Sequence, residues 1–212
     1  MSVAIIGTGN IGSRLAADLA AGGVDVLVAG TNLDNARKLA DTLDGHGTAV
    51  SVADAISQAD VVVMAVWFET IKQLITEYGG RLDGKIVVDP SNPIAPDGEG
   101  GFAKTIGEHE SAGGIISTLL PDGAGLVKAF GTLSAETLAS ASRRSPERAV
   151  GFYAADDQQA GKKVAELIRA AGFEPVRVGG IDQSIRIEVF GDLHEIGGLG
   201  HAVSKEEALS AL

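Results

Sequence analysis

The sequence predicts an α/β fold, a doubly wound and mostly parallel sheet with a short C-terminal helical extension. Three observations carry this expectation. Short apolar runs alternate with longer amphipathic stretches along most of the chain, the order that buries a parallel sheet between two layers of helices. The first run, Val3 to Ile6, is continuously apolar rather than alternating, as a strand covered on both faces must be. Glycines fall where helices of ordinary length should stop, at Gly22-Gly23, Gly79-Gly80 and Gly172.

The chain has 212 residues, 45% hydrophobic and 21% charged, enough for one large domain able to bury a core. A net charge of −11 argues against nucleic acid or an anionic membrane as partner, since both demand a basic surface. With Cys 0, disulfides, thiolate catalysis and cysteine–zinc sites are excluded. Met1-Ser2 leads straight into the first strand, and no apolar run reaches membrane-spanning length. A cytoplasmic protein is therefore expected.

In order, apolar residues at helical spacing predict a helix over 11–21, followed by a strand over 24–29 and a turn at Gly30-Thr31-Asn32. Leu33, Ala36, Leu39, Ala40 and Leu43 share one face of a helix over 33–43. A strand over 48–52, a helix over 53–58, a strand over 61–66, a helix over 70–78 and a strand over 85–89 continue the alternation. Residues 90–101 are rich in proline and glycine and read as an active-site loop, because loops at strand ends carry function. Helices are expected over 102–112 and 115–120, a strand over 126–130, a short helix over 134–140 and a polar loop over 141–148. Residues 149–155, 158–171 and 175–178 form a further strand–helix–strand unit. Ile181, Ile185, Val189 and Leu193 recur every fourth position, predicting a helix over 181–196. A polar helix or frayed tail closes the chain. Residues 1–180 thus read as one domain, with 181–212 closing its site and contributing to a homodimer.

The functional signal begins at Gly7-Thr8-Gly9-Asn10-Ile11-Gly12. This G-x-G-x-x-G spacing follows a strand and opens a helix, the context that makes it a Rossmann-type dinucleotide motif. The first glycine permits the turn, the second admits a pyrophosphate, and the third lets helix and strand pack closely. An NAD site places an acid about 20 residues on, against the ribose 2′-hydroxyl. Here that corner is Gly30-Thr31-Asn32, with hydrogen-bond donors and no carboxylate to repel a 2′-phosphate. Arg37 or Lys38, with Thr8 and Arg14 as further candidates, would supply charge or donors. NADP is favoured, with Asp34 as the opposing feature. Thr31-Asn32 also suits a helix N-cap.

Ligands of such sheets lie outside the carboxyl ends of the strands. Ala65, Val66, Trp67 and Phe68 leave the fourth strand there, and Ser91, Asn92 and Pro93 leave the fifth. Trp67 and Phe68 would either wall a ring or pack the core. Asn92 and Ser91 would either fix a carboxamide or ribose or form a turn. His46 reads as an exposed residue of a glycine-flanked turn and His109 as part of a solvated helix face, whereas His194 and His201, near the C-terminal glycines, are candidate proton donors; none has metal-ligand spacing. No nucleophile motif is present. The expected chemistry has no catalytic side chain and no metal: a hydride moves directly, and the bound cofactor carries the reaction.

Together these segments resemble the NADPH-dependent reductases of the deazaflavin coenzyme F420. The likeness runs nearly the full length. It rests on residues 5–12, on Gly30-Thr31-Asn32, on 65–69, on Val87-Val88-Asp89-Pro90-Ser91-Asn92-Pro93-Ile94, on 127–135 and on Ala154-Ala155-Asp156-Asp157. It implies NADP on Thr8, Asn10, Ile11, Thr31, Asn32, Ala65 and Val66. It also implies coenzyme F420, the small-molecule redox co-substrate, beside Gly131, Thr132, Leu133 and Ser134. Where that family often has Ser-Arg, this chain has Thr31-Asn32. Where archaeal members have His it has Gly131, expected to make room for a ring. Arg143, Arg144 and Arg148 are candidates for the acidic tail of the deazaflavin, or form a solvated loop. Reduction of another acceptor (a flavin, small carbonyl or imine) and a non-catalytic NADP sensor are the competing readings.

Overall fold

The computed structural model describes residues 1–212. The chain runs through β1 (Val3–Ile6), α1 (Asn10–Ala21), β2 (Val26–Ala29), α2 (Leu33–Asp41), β3 (Gly47–Ala49), α3 (Val52–Gln58), β4 (Val61–Met64), α4 (Phe68–Tyr78) and β5 (Ile86–Asp89). A hairpin of β6 (Ile94–Pro96) and β7 (Phe102–Lys104) follows. Then come α5 (Ala112–Ser117), β8 (Gly125–Ala129), α6 (Ala135–Ala141), β9 (Val150–Ala155), α7 (Gln158–Ala170), β10 (Glu174–Gly179) and α8 (Lys205–Ala211).

Eight strands form one sheet in the order β10-β9-β8-β5-β4-β1-β2-β3. All neighbours are parallel except β8 and β9. Alternate residues of each strand serve opposite faces. Val3 and Ile5 pack with Leu15 and Leu19 of α1 and with Val164 and Ile168 of α7. Ala4 and Ile6 pack with Ile56, Phe68, Ile71 and Ile116 of the other helix layer. A third apolar cluster joins Phe152 and Val176 to Ile187, Leu193 and Val203, so the C-terminal segment covers part of β9 and β10. The predicted doubly wound, mostly parallel fold is the one observed.

Two predicted helices are replaced. Residues 102–112 do not form one. Asp97 accepts hydrogen bonds from the amides of Glu99 and Gly101, closing a turn that pairs β6 with β7. Lys104 Nζ then donates to the carbonyls of Glu108 and Glu110, and Ser111 caps α5. Nor is 181–196 one helix. A 3₁₀ segment covers Ile181–Ile187, and beyond it the backbone is held against the β5 exit. Val189 N donates to Asn92 Oδ1 at 2.7 Å, and Phe190 turns to φ +72°. Tertiary hydrogen bonds there displace the helical ladder that apolar periodicity alone would favour. Other boundaries move by a few residues.

Candidate active site

A cavity of about 560 Å³ opens at the carboxyl ends of β1, β2, β4, β5 and β8. That volume is within the range of small-molecule sites. Gly7, Thr8, Gly9, Asn10 and Ile11 form one wall, with Gly30, Thr31, Ala65, Val66 and Trp67 beside them. Ser91, Asn92, Gly131, Leu133 and Ser134 extend it to the β8 exit.

The three glycines divide their work. Gly7 turns at φ +122°, and a Cβ there would lie 2.1 Å from the carbonyl oxygen of Ala65. A Cβ on Gly12 would lie 2.0 Å from the carbonyl oxygen of Gly7, so α1 can seat against the turn only with glycine. Gly12 does this from behind the wall. A Cβ on Gly9 would meet nothing within 4 Å, and Gly9 faces the cavity. No side chain caps α1 and no acid lies in its first turn. Its amides and positive dipole end are free to hold an anion.

At the β2 exit the predicted residues separate. Thr31 lines the cavity. Asn32 does not; its Oδ1 accepts from the amides of Asp34 and Asn35 at 2.9 and 3.3 Å, capping α2. Arg37 is also off the wall, exposed, and paired with Asp34 at 2.9 Å. Trp67 and Phe68 split the two readings given for them. Trp67 is 62% exposed on the cavity, whereas Phe68 is buried in the core.

Asn92 is used as a clamp. Its Nδ2 donates to the carbonyl of Gly131 at 2.9 Å while its Oδ1 holds Val189. One N–H remains for a ligand. Pro93 lies outside the wall, its carbonyl accepting from Thr105 N. Thr132 is buried away from the cavity, its carbonyl accepting from Glu195 N. Gly131 is explained by packing rather than by room for a ring: a Cβ would lie 2.8 Å from the carbonyl oxygen of Pro90.

Behind Ser91 and Asn92 lies a buried ionic cluster that sequence reasoning missed. Lys128 Nζ donates to Asp89 Oδ2 at 2.8 Å and to the carbonyl of Ser91, and lies 3.8 Å from Glu188 Oε1. All three side chains are at most 2% exposed. Asp89 also accepts from Ser91 N, and Glu188 from the amides of Ala112 and Gly113. The net negative charge is thus shared among backbone donors. The signal available was a lysine inside the apolar run Leu126-Val127-Lys128-Ala129.

His194 reaches the site from the C-terminal segment. Its Nδ1 accepts from Ile196 N at 2.8 Å, so the proton sits on Nε2, which donates to the carbonyl of Gly131 at 2.9 Å. With both nitrogens engaged it is a strut and not the proton donor considered from sequence. Burial lowers its pKa, outweighing the opposing hydrogen bond to Gly131 and the nearby charge of Glu195. Glu195 accepts from Ser134 N, Ser134 Oγ and Thr137 Oγ1, securing the start of α6. The other three histidines lie off the cavity.

A pH dependence follows. The folded state keeps His194 neutral, whereas the unfolded chain binds a proton near the ordinary value of about 6.5. The unfolded state then holds more protons, so stability falls as pH drops through that value and is fully present above it. The urea midpoint should therefore decline between about pH 7.5 and 5.5, and His194→Gln should flatten that decline.

The arginines expected at an acidic tail are elsewhere. Arg143 donates to the carbonyls of Asp18 and Ala170, near the ends of α1 and α7. Arg144 donates to Glu147 and Ala202, and Arg148 to Arg169. None lines the cavity. Arg143 and Arg148 thus serve carbonyls near helix C-termini, a common use of cations, and Arg144 ties two loops.

A family model described as NADP oxidoreductase, coenzyme F420-dependent, matches residues 2–93. The hypothetical protein SMa0349 from Sinorhizobium meliloti is 31% identical, with 97% of this chain and 96% of that chain covered and a TM-score of 0.85. A protein from Arthrobacter sp. FB24, provisionally assigned as an F420-dependent NADP reductase, is 24% identical over 87% of each chain, with a TM-score of 0.75. An imine reductase from Bacillus cereus is 18% identical, covering 86% of this chain and 56% of that one, with a TM-score of 0.66. The last two likenesses are of fold. No curated protein matches the chain. No helix is long and apolar enough to cross a membrane.

Proposed function

We propose, from the match of residues 2–93 to the family of coenzyme F420-dependent NADP oxidoreductases, that the chain is an NADP-dependent oxidoreductase of that family and passes a hydride between NADP(H) and a deazaflavin. The observation that carries this reading is one cavity, continuous from the glycine turn to the β8 exit, without an ionised side chain in its wall. Gly9 and the uncapped start of α1 receive the pyrophosphate. Thr8 and Thr31 face the adenosine end, and Ala65, Val66 and Trp67 line the path to the nicotinamide. The deazaflavin ring lies against Gly131, Leu133 and Ser134.

With both bound, the nicotinamide would supply hydride from its C4 to the deazaflavin C5, and solvent would supply the proton that completes reduction of the ring. The protein's task is to hold the two carbons about 3–3.5 Å apart. Apolar walls keep water from between the rings. The struts from Asn92 and His194 to Gly131 hold the β8 exit in place for that stack. The C-terminal segment, residues 181–212, closes the site, and the assembly is a cytoplasmic homodimer.

Loss of NADPH absorbance with a panel of acceptors tests this reading. Turnover with a 5-deazaflavin, and little with FMN, small ketones or imines, is the expected result. Turnover confined to another acceptor replaces the deazaflavin; NADPH binding without any turnover leaves the sensor reading.

A further inference from the structure

The only titratable side chain lining the cavity is His194, and its two nitrogens are held by backbone groups. The cations around the far end are spent elsewhere. Lys128 is buried with Asp89. Lys104, on the hairpin, is bound by the carbonyls of Glu108 and Glu110. Arg143, Arg144 and Arg148 hold backbone carbonyls away from the cavity. The charge next to Ser134 is the carboxylate of Glu195, and the whole chain carries −11. The glycine-turn end does offer a seat for an anion, at the start of α1. The far end instead presents Ile94, Phe102, Leu133, Val189 and Ile196. Phe102 and Ile196 are 51% and 56% exposed, and with Trp67 they line the cavity from partly solvated positions.

An ionised group brought against those side chains would lose hydration and gain no counter-charge. A flat neutral ring would lose little and gain apolar contact. Resting on the reading above, we propose that this half of the cavity binds its second substrate through a neutral planar ring alone. Any anionic extension of that substrate stays in solvent and adds nothing to affinity. Selection is by the ring, so acceptors without a charged tail serve as well as tailed ones.

Trp67 is the only tryptophan in the chain and lines the cavity, so its fluorescence reports ring binding without turnover. The NADP-loaded protein is titrated with 5-deazariboflavin and with its 5′-phosphate, and NADPH oxidation is followed in parallel. The neutral ring should bind at least as tightly as the phosphate ester, by up to about threefold at low salt, through repulsion from the net negative chain. That gap should close as salt rises from about 20 to about 500 mM. Phosphate-ester binding about threefold or more tighter, with an advantage that salt abolishes, overturns the proposal. So does failure of both rings to quench Trp67. Ring binding in the expected order without NADPH oxidation upholds it while removing deazaflavin reduction as the reaction.

Discussion

Gly9→Ala should fold almost as stably as the parent and bind NADPH about 30–100-fold more weakly, the loss expected for about one charge-assisted hydrogen bond. Gly9 has φ −79° and ψ −168°, a conformation open to alanine, and a Cβ there would touch no protein atom within 4 Å. The added methyl group would occupy the space where a diphosphate must approach the backbone. Alanine is a poorer N-cap than glycine but restricts the unfolded chain, so stability should move by no more than about 1 kcal/mol. Gly12→Ala is the contrast. Its Cβ would lie 2.0 Å from a backbone oxygen, so helix and turn must part, at a cost of about 1–3 kcal/mol or more. Urea unfolding and NADPH titration of both variants separate the two roles. Unchanged affinity in a folded Gly9→Ala would remove the pyrophosphate from this turn.

Lys128→Met should lower stability by about 3–5 kcal/mol, because it leaves a buried carboxylate without its counter-ion. Asp89 would keep only the bond from Ser91 N, and the carbonyl of Ser91 would lose its ammonium donor. Replacing Asp89 as well, in Lys128→Met/Asp89→Asn, should recover part of the loss, since the uncompensated charge goes with it. Glu188 retains the amides of Ala112 and Gly113 in both variants. Equilibrium unfolding in urea measures the difference. A single variant as stable as the parent would show that the cluster does not hold the β5 exit. A double variant no better than the single would show that the lysine works by packing rather than by charge.

Much of this site could be read before the fold was in hand, for a local reason. The spacing Gly7, Gly9 and Gly12 acts within one strand–turn–helix unit, and the same short unit places Thr8, Asn10 and Ile11 on the cavity. The apolar runs from Val3 and Val61 report burial on both faces, which neighbouring strands demand wherever they lie. Asn32 shows the limit of such reading. A cap and a ligand donor call for the same side chain, and the structure uses Asn32 Oδ1 as the cap.

The rest rests on distant partners. Asn92 meets Val189 across 97 positions, Glu188 meets Ala112 across 76, and His194 meets Gly131 across 63. No periodicity encodes those pairings, and they break the helix that spacing alone predicts near residue 189. Local order along the chain therefore determined the sheet, its helix layers and the anion seat. The shape and neutrality of the acceptor end were decided by folding, because a side chain's charge matters there only through whichever remote backbone group has already claimed it.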